Sequence, residues 1–407
     1  MFNSLAQLSP IYLLCPNLFG FKGGIQVYSR FLLEALQDLS PQSERRVFLK
    51  YDRQVPDGIR RSPQTYFHCF GRWPRRVQSW LMFLSIVVWG LWQRPLLLIA
   101  THLNYGIACY ALKLLTGCPY WLVVHGLEGW NLEAPWHCAA LRAADRIIAV
   151  SHYTRDRLLI EQNLAPEQVT VLPNTFEPER FAIAPKPQSL LNRYGLRPDQ
   201  PVILTVSRLG RSTAHQKGYR QVIQALPKIR QQLPDVHYLL VGKGDDAPAV
   251  QALVAALGLQ ANVTLAGFIA DEELPAHYQL CDVLALPSCI EGFGIVYLEA
   301  LASGKPVLAG DRDGAVDPLQ QGKLGCLVDP GDVGAIADQL TQILQRTHPN
   351  LSLYQPEGLQ REAIEQFGLT KFQKKLAQLL APLGDHSVGR GAVVAPPRLQ
   401  ANGGLDS

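Results

Sequence analysis

Two glutamates, Glu291 and Glu299, stand eight positions apart in the segment EGFGIVYLE, with Gly292 and Gly294 between them. The apolar run from Val283 to Leu286 ahead of them reads as a buried strand, and a helix to about Ala302 follows and contains Glu299. Glycines at a helix start leave backbone N–H groups uncovered, and together with the helix dipole these favour an anion. A glutamate further along the same helix can accept hydrogen bonds from ribose hydroxyls. A nucleotide diphosphate meets both demands. A surface glutamate pair on a capped helix would show the same spacing.

Two cations add to this pattern. Arg208 lies just past the apolar run Val202 to Val206, and Lys217-Gly218 closes the polar loop GRSTAHQKG. Ligands of open α/β sheets bind at the carboxyl edges of strands. Cations there can hold a diphosphate and neutralise charge as it leaves, although either residue alone would read as a solvated loop charge. Gly20, Gly23 and Gly24 form a phosphate-type loop between a first strand and a first helix, without the spacing of GxGxxG or GxxxxGK[ST]. Gly242 and Gly244, in GKGDDA, come near the dinucleotide pattern. The region about twenty positions later reads QANVT and supplies no acidic residue, which counts against a dehydrogenase. Gly244 then allows close backbone approach to a base or ribose, or simply a turn. His125, before Gly126 at the end of an apolar run, can donate a hydrogen bond to a sugar hydroxyl or exchange a proton near neutrality; a structural histidine is the plainer reading. Ser151 and Thr154 read as a helix cap.

Positioning such residues requires strand ends, and strands alternate with helices along the whole chain. This pattern predicts an α/β fold with parallel sheets covered on both faces. Ile11 to Cys15, Leu96 to Ala100, Trp121 to Val124, Arg146 to Val150 and Val169 to Leu172 read as strands of a first unit, with a helix from about Gly24. Residues 182–201 carry Pro185, Pro187, Pro198 and Pro201 and read as a linker. A second unit opens with Val202 to Val206. Its later strands are Tyr238 to Val241, Val263 to Leu265, Val283 to Leu286, Pro306 to Ala309 and Cys326 to Val328. We place the units at 1–184 and 185–358, a helical segment at 359–383, and a disordered tail, rich in Gly, Ala and Pro, at 384–407.

The 407 residues are 47% hydrophobic and 18% charged, with a formal net charge of +4, too small for a nucleic-acid binder. Between Glu44 and Arg76, nine basic residues face three acidic ones. That stretch is either a solvated basic face or a contact for an anionic surface such as lipid headgroups. Trp80 to Trp92 (WLMFLSIVVWGLW) is the most apolar stretch, too short to span a bilayer. It reads as a buried helix or, with Arg72, Trp73, Arg75 and Arg76 leading into it, as an interfacial one. The eight cysteines show no CxxC and no metal-ligand spacing, and Ile11 to Cys15 is too short for a signal-peptide core. These features point to a reducing, cytoplasmic compartment without disulfides or structural zinc.

The chain resembles group 1, or family 4, of the glycosyltransferases. The resemblance runs from about residue 11 to 380 and is carried by VSRL around Arg208, QKG around Lys217, LLVGKG at 239–244, LAGFI at 265–269 and SCIEGFGIVYLEALASGKPVLA at 288–309. GGIQVYSR at 23–30, HG at 125–126, AVSHYTRD at 149–156 and PNTFEPERF at 173–181 carry it in the first half. It implies a GT-B fold, two Rossmann-like domains facing across a cleft, with a C-terminal helix crossing back to the first domain. Arg208 and Lys217 would bind the donor diphosphate, Glu299 the ribose and Glu291 the transferred sugar. His125 would sit near the sugar 6-hydroxyl and the Gly23-Gly24 backbone near the diphosphate or acceptor, while Gly244, Gly292, Phe293 and Gly294 would line the donor site. Such enzymes retain anomeric configuration, usually without a metal ion, and need no cofactor beyond the nucleotide-sugar substrate. The implied partner is a glycan or lipid-linked acceptor; the residues of 72–94 themselves, not the resemblance, suggest peripheral contact with an anionic membrane, at its inner face. Residues 72–94 and the insertion Ser212, Thr213 and His215 lie outside the family pattern. The alternatives are a nucleotide-sugar 2-epimerase of the same fold, which would need acid and base groups on the sugar ring, and an inactive nucleotide-sugar binding protein.

Overall fold

The structure, a computed structural model, describes residues 10–20, 23–56 and 62–387. The first unit contains β1 (Ile11–Cys15), α1 (Gly24–Leu39), β2 (Arg45–Leu49), β3 (Thr65–Cys69), α2 (Arg75–Gln93), β4 (Leu97–Ala100) and α3 (Gly106–Thr116). It continues with β5 (Tyr120–Val124), α4 (Pro135–Arg142), β6 (Arg146–Ala149), α5 (His152–Gln162) and β7 (Val169–Val171). Its strands form one parallel sheet in the order β3-β2-β1-β4-β5-β6-β7. β1, β4 and β5 are apolar along their whole length and fully buried, as strands covered on both faces must be. Ser151 caps α5 by accepting from the Thr154 N–H, as its type and place suggest.

The second unit contains α6 (Gln188–Tyr194), β8 (Val202–Val206), α7 (Tyr219–Ile229), β9 (His237–Val241), α8 (Ala247–Ala256), β10 (Val263–Gly267) and α9 (Leu274–Leu280). After these come β11 (Val283–Leu286), α10 (Ile295–Ala302), β12 (Val307–Gly310), β13 (Cys326–Val328) and α11 (Val333–Leu344). Its parallel sheet runs β10-β9-β8-β11-β12-β13. In both sheets the strand order reverses once, between β1 and β4 and between β8 and β11. At such reversals the neighbouring loops diverge and leave a crevice at the carboxyl edge. The loops after β1, β8 and β11 are those that carry Gly23, Arg208, Lys217 and Glu291.

The expected single helix near 359–380 is two, α12 (Pro356–Phe367) and α13 (Leu369–Ser387), broken at Gly368. α12 packs on α10, whereas α13 packs on α1 of the first unit, where Phe372 meets the Tyr28 ring edge-on at 5.6 Å. The chain therefore crosses back. The tail forecast from Gly384 is corrected at its start, because α13 runs to Ser387; residues 388–407 lie outside the described residues.

The basic segment also differs from expectation, for it contributes β2 and β3, and two of its arginines are buried. Arg45 donates to the Leu36 and Ser40 carbonyls, closing the end of α1. Arg46 pairs with Glu44 at 3.0 Å, donates to Gln93 and lies 3.6 Å over the Trp89 ring. Neither belongs to a solvated basic face. Residues 80–92 fall within α2, which buries Met82, Ile86 and Gly90 along one edge and turns a second apolar face outward. Gly90 lets α3 approach, since a Cβ there would lie 2.3 Å from the Leu112 side chain.

Candidate active site

The loops after β8 and β11 are tied together by main chain. Gly218, at φ +81° before α7, leaves room for the Pro287 carbonyl, which a Cβ would meet at 2.3 Å. The Gln216 carbonyl accepts from the Cys289 N–H at 2.9 Å and from the Ser288 hydroxyl at 3.0 Å, so the inserted loop has one course and delivers Lys217 to Glu291. Their side chains form an ion pair of 2.5 Å, about four-fifths buried. Arg208 follows β8 and is exposed. Gly244 serves this loop: a Cβ there would lie 1.9 Å from the Leu209 carbonyl oxygen, so it allows close approach of the protein's own backbone beside Arg208.

Gly294 stands at φ +86° before α10, where a Cβ would strike the Tyr297 ring. Glu299, within α10, accepts from the Tyr278 hydroxyl at 2.6 Å. The Phe293 side chain is buried in the core against Phe367 of α12, with centroids 5.5 Å apart, so only its main chain is left for a donor.

The first unit meets this cluster through His125-Gly126. A Cβ on Gly292 would lie 1.6 Å from the His125 carbonyl oxygen, so the β5 and β11 loops touch backbone to backbone. The His125 Nε2 lies 3.0 Å from the Thr101 carbonyl oxygen. A carbonyl only accepts, so Nε2 carries the proton and Nδ1 keeps its lone pair. Burial pushes the imidazole pKa down to about 4, against a smaller upward pull from the Thr101 carbonyl. In this arrangement Nε2 is engaged by Thr101, which leaves the Nδ1 lone pair for a hydroxyl, and burial opposes protonation of the ring near neutrality. Gly23 precedes α1 without a side-chain cap, and a Cβ on Gly24 would meet nothing within 4 Å. A cavity of about 410 Å³ opens between the units, lined by Phe19, Gln26, Arg30, Glu177 and Asp271 among others. It lies away from the Lys217–Glu291 pair.

Sequence reasoning missed two carboxylates. Asp52, after β2, accepts from the Leu18 and Gly20 N–H groups at 2.6 and 2.9 Å and so shapes the loop before α1. Asp313, after β12, accepts from the Glu291 N–H at 2.7 Å, while the Gly314 N–H donates to the Glu291 carbonyl at 2.7 Å. Together they clamp the Glu291 backbone. The Asp-Gly pair at 313–314, just past a strand end, was the available signal.

The model for Glycosyltransferase Family 4 matches residues 22–180, and that for Glycosyl transferases group 1 matches residues 188–355. The chain belongs to the group 1, family 4 glycosyltransferases. Among this family's members it is 38% identical, over 54% of its length and 59% of the relative's, to the GDP-mannose-dependent alpha-(1-6)-phosphatidylinositol monomannoside mannosyltransferase of Mycolicibacterium smegmatis. It is 32% identical to the 2-deoxystreptamine glucosyltransferase of Streptomyces kanamyceticus, over 52% and 54% of the two chains. The chain thus spans little more than half the length of the curated relatives it matches. Two solved structures resemble it: sucrose-phosphate synthase from Thermosynechococcus elongatus (TM-score 0.76, 22% identity, 93% of this chain and 100% of that one) and Anabaena HepE in complex with UDP (0.73, 21%, 91% and 99%). At these identities they show the fold, which is GT-B.

In this family member the clamp has an electrical consequence. Burial, and next to it the Glu291 carboxylate, push the Asp313 carboxyl up to about 7 from its ordinary 3.8. It is neutral below that pH and charged above it. Binding of an anion beside Glu291 is expected to weaken as pH rises through about 7, because ionised Asp313 adds negative charge there. Calorimetric titration of GDP and UDP from pH 5.5 to 8.5 checks this. Asp313→Asn should remove the inflection, and an unchanged profile in that variant would clear Asp313 of the effect. The group also lowers stability as pH rises from about 4 to 7, the range in which the unfolded chain is ionised and the folded one is not.

Proposed function

We propose that the chain is a retaining, metal-independent glycosyltransferase that moves a sugar from a nucleotide diphosphate donor to a glycan or lipid-linked acceptor, in the cytoplasm at the inner face of a membrane. The acceptor-side unit would end at residue 184 and the donor-side unit begin at 185. One observation carries the reading: Lys217 and Glu291 pair at 2.5 Å at the point where Gly292 touches the His125 backbone of the opposite unit. A diphosphate placed there takes over Lys217 and releases Glu291 to the transferred sugar. Arg208 and Lys217 then offset charge on the leaving diphosphate, which takes the acceptor's proton during front-face attack. Neutral His125 accepts from a sugar hydroxyl through Nδ1. The Gly292–Gly294 main chain and Gly23-Gly24 lie against the diphosphate, and Glu299 binds the ribose.

The GDP-mannose dependence of the mannosyltransferase relative makes GDP-mannose the first donor to try. A thermal-shift screen with UDP-, GDP- and ADP-sugars, with and without a chelator, tests the donor class. One nucleotide class should raise the melting temperature, and the rise should survive the chelator. A shift abolished by chelation would overturn the metal-independent reading. Glu299→Ala should weaken binding of that nucleotide by about 1.5 kcal/mol, roughly tenfold, the worth of a charge-assisted hydrogen bond. Unchanged affinity in calorimetry would remove Glu299 from the ribose.

A further inference from the structure

The outward face of α2 has no counterpart in the chemistry above. Val77, Trp80, Leu84, Val88 and Leu91 follow one another at three- and four-residue steps and so share one side of the helix, and all are exposed, Trp80 by 74% and Leu84 by 58%. Trp92, also 74% exposed, closes the stripe. A water-facing helix should be polar here; a contiguous apolar face of this size marks a surface that is covered when the protein works. Yet no helix among the described residues is long and apolar enough to cross a membrane.

Charge decides what covers it. Residues 72–94 contain Arg72, Arg75, Arg76 and Arg94 and no acidic residue. Arg72, Arg75 and Arg76 are exposed around the start of α2, one end of the stripe. A second copy pairing through this face would bring arginines together with no carboxylate in the segment to meet them. A bilayer bearing anionic lipids offers hydrocarbon to the stripe and negative headgroups to the arginines, and indole rings favour that boundary. We propose that the outer face of α2 docks the protein onto an anionic lipid bilayer.

The placement of α2 relative to the cleft gives the docking a direction. The Gly71 N–H, just ahead of α2, donates to the Asp52 carbonyl at 2.9 Å, and the Asp52 carboxylate holds the loop from Leu18 to Gly20 that leads to Gly23. The arginine end of α2 is thus hydrogen-bonded, through one residue, to the loop bordering the cleft. Docking brings that border to the headgroup plane, where an acceptor anchored in the same bilayer presents its polar end. This purpose rests on the lipid-linked acceptor of the reading above; the docking itself does not.

Co-sedimentation of the full chain with vesicles tests it, using phosphatidylcholine alone or with phosphatidylglycerol at low and moderate salt. Binding is expected to the phosphatidylglycerol vesicles, to fall with salt, and to drop about fivefold for each of Arg72, Arg75 and Arg76 replaced by alanine. Trp80→Glu with Leu84→Glu should abolish it while leaving the melting temperature unchanged, which separates lost docking from lost folding. Absent binding at low salt, or binding untouched by the glutamates, would overturn the proposal. So would a dimer in sedimentation velocity that those glutamates dissolve, since it would assign the face to a second copy. Because the assay needs no donor, its failure leaves the transferase reading standing, and a failed donor screen leaves the docking standing.

Discussion

Lys217→Ala is expected to lower turnover about 100- to 1000-fold while changing donor affinity by less than about tenfold. In the free site the ammonium faces the Glu291 carboxylate at 2.5 Å, so a bound donor exchanges one anionic partner for another and the ground state gains little. As the glycosidic bond breaks, charge collects on the leaving diphosphate and the interaction with Lys217 strengthens. An interaction that grows along the reaction raises kcat rather than binding. The same substitution leaves Glu291 without the cation it faces in the free site. Steady-state kinetics at saturating donor, with calorimetry for affinity, separates the two quantities. A variant at full rate would take Lys217 out of the transfer step.

Gly292→Ala should reduce kcat/KM by about 100-fold and leave each unit folded. Its Cβ would lie 1.6 Å from the His125 carbonyl oxygen and 2.7 Å from its carbon, and both are backbone atoms that cannot swing aside. Gly126, at φ +134°, presses on the same spot from the other side. The loops must separate, and separation by about an ångström misplaces the donor sugar relative to anything bound on the first unit. The melting temperature should barely change, because the contact joins two loops outside the strands and helices of both sheets. A fully active alanine variant would mean that the units react without this contact.

Much of this was legible in the residue pattern, and what was not has identifiable causes. The strands flanking the cleft are apolar runs, broken only by Thr205 of β8, so β1, β4, β5, β8 and β11 stand out, and Lys217 and Glu291 could be placed at their ends. β2 begins with Arg45 and Arg46, and a charge at a strand start reads as exposed unless its partners are known. Here the partners are the carbonyls of Leu36 and Ser40 for one and Glu44, Gln93 and Trp89 for the other. α2 escaped a clear reading because it is apolar on two sides, so no periodicity separates the face against α3 from the one turned outward. The state of His125 depends on the Thr101 carbonyl, at the end of a different strand, and the cramped setting of Gly244 depends on Leu209. Both are contacts across the sheet edge that spacing along the chain does not encode.

Tyr28 on α1 is fully buried, held edge-on by Phe372 of α13 at 5.6 Å on one side and by the His125 ring at 5.1 Å on the other. Leu376 and Leu380 of α13 are fully buried in that same core. The packing around α1 therefore stays open during synthesis until residues near 380 leave the ribosome. The half of the protein made first is finished last, and the surroundings of His125 acquire their final shape only after translation of the second half is complete.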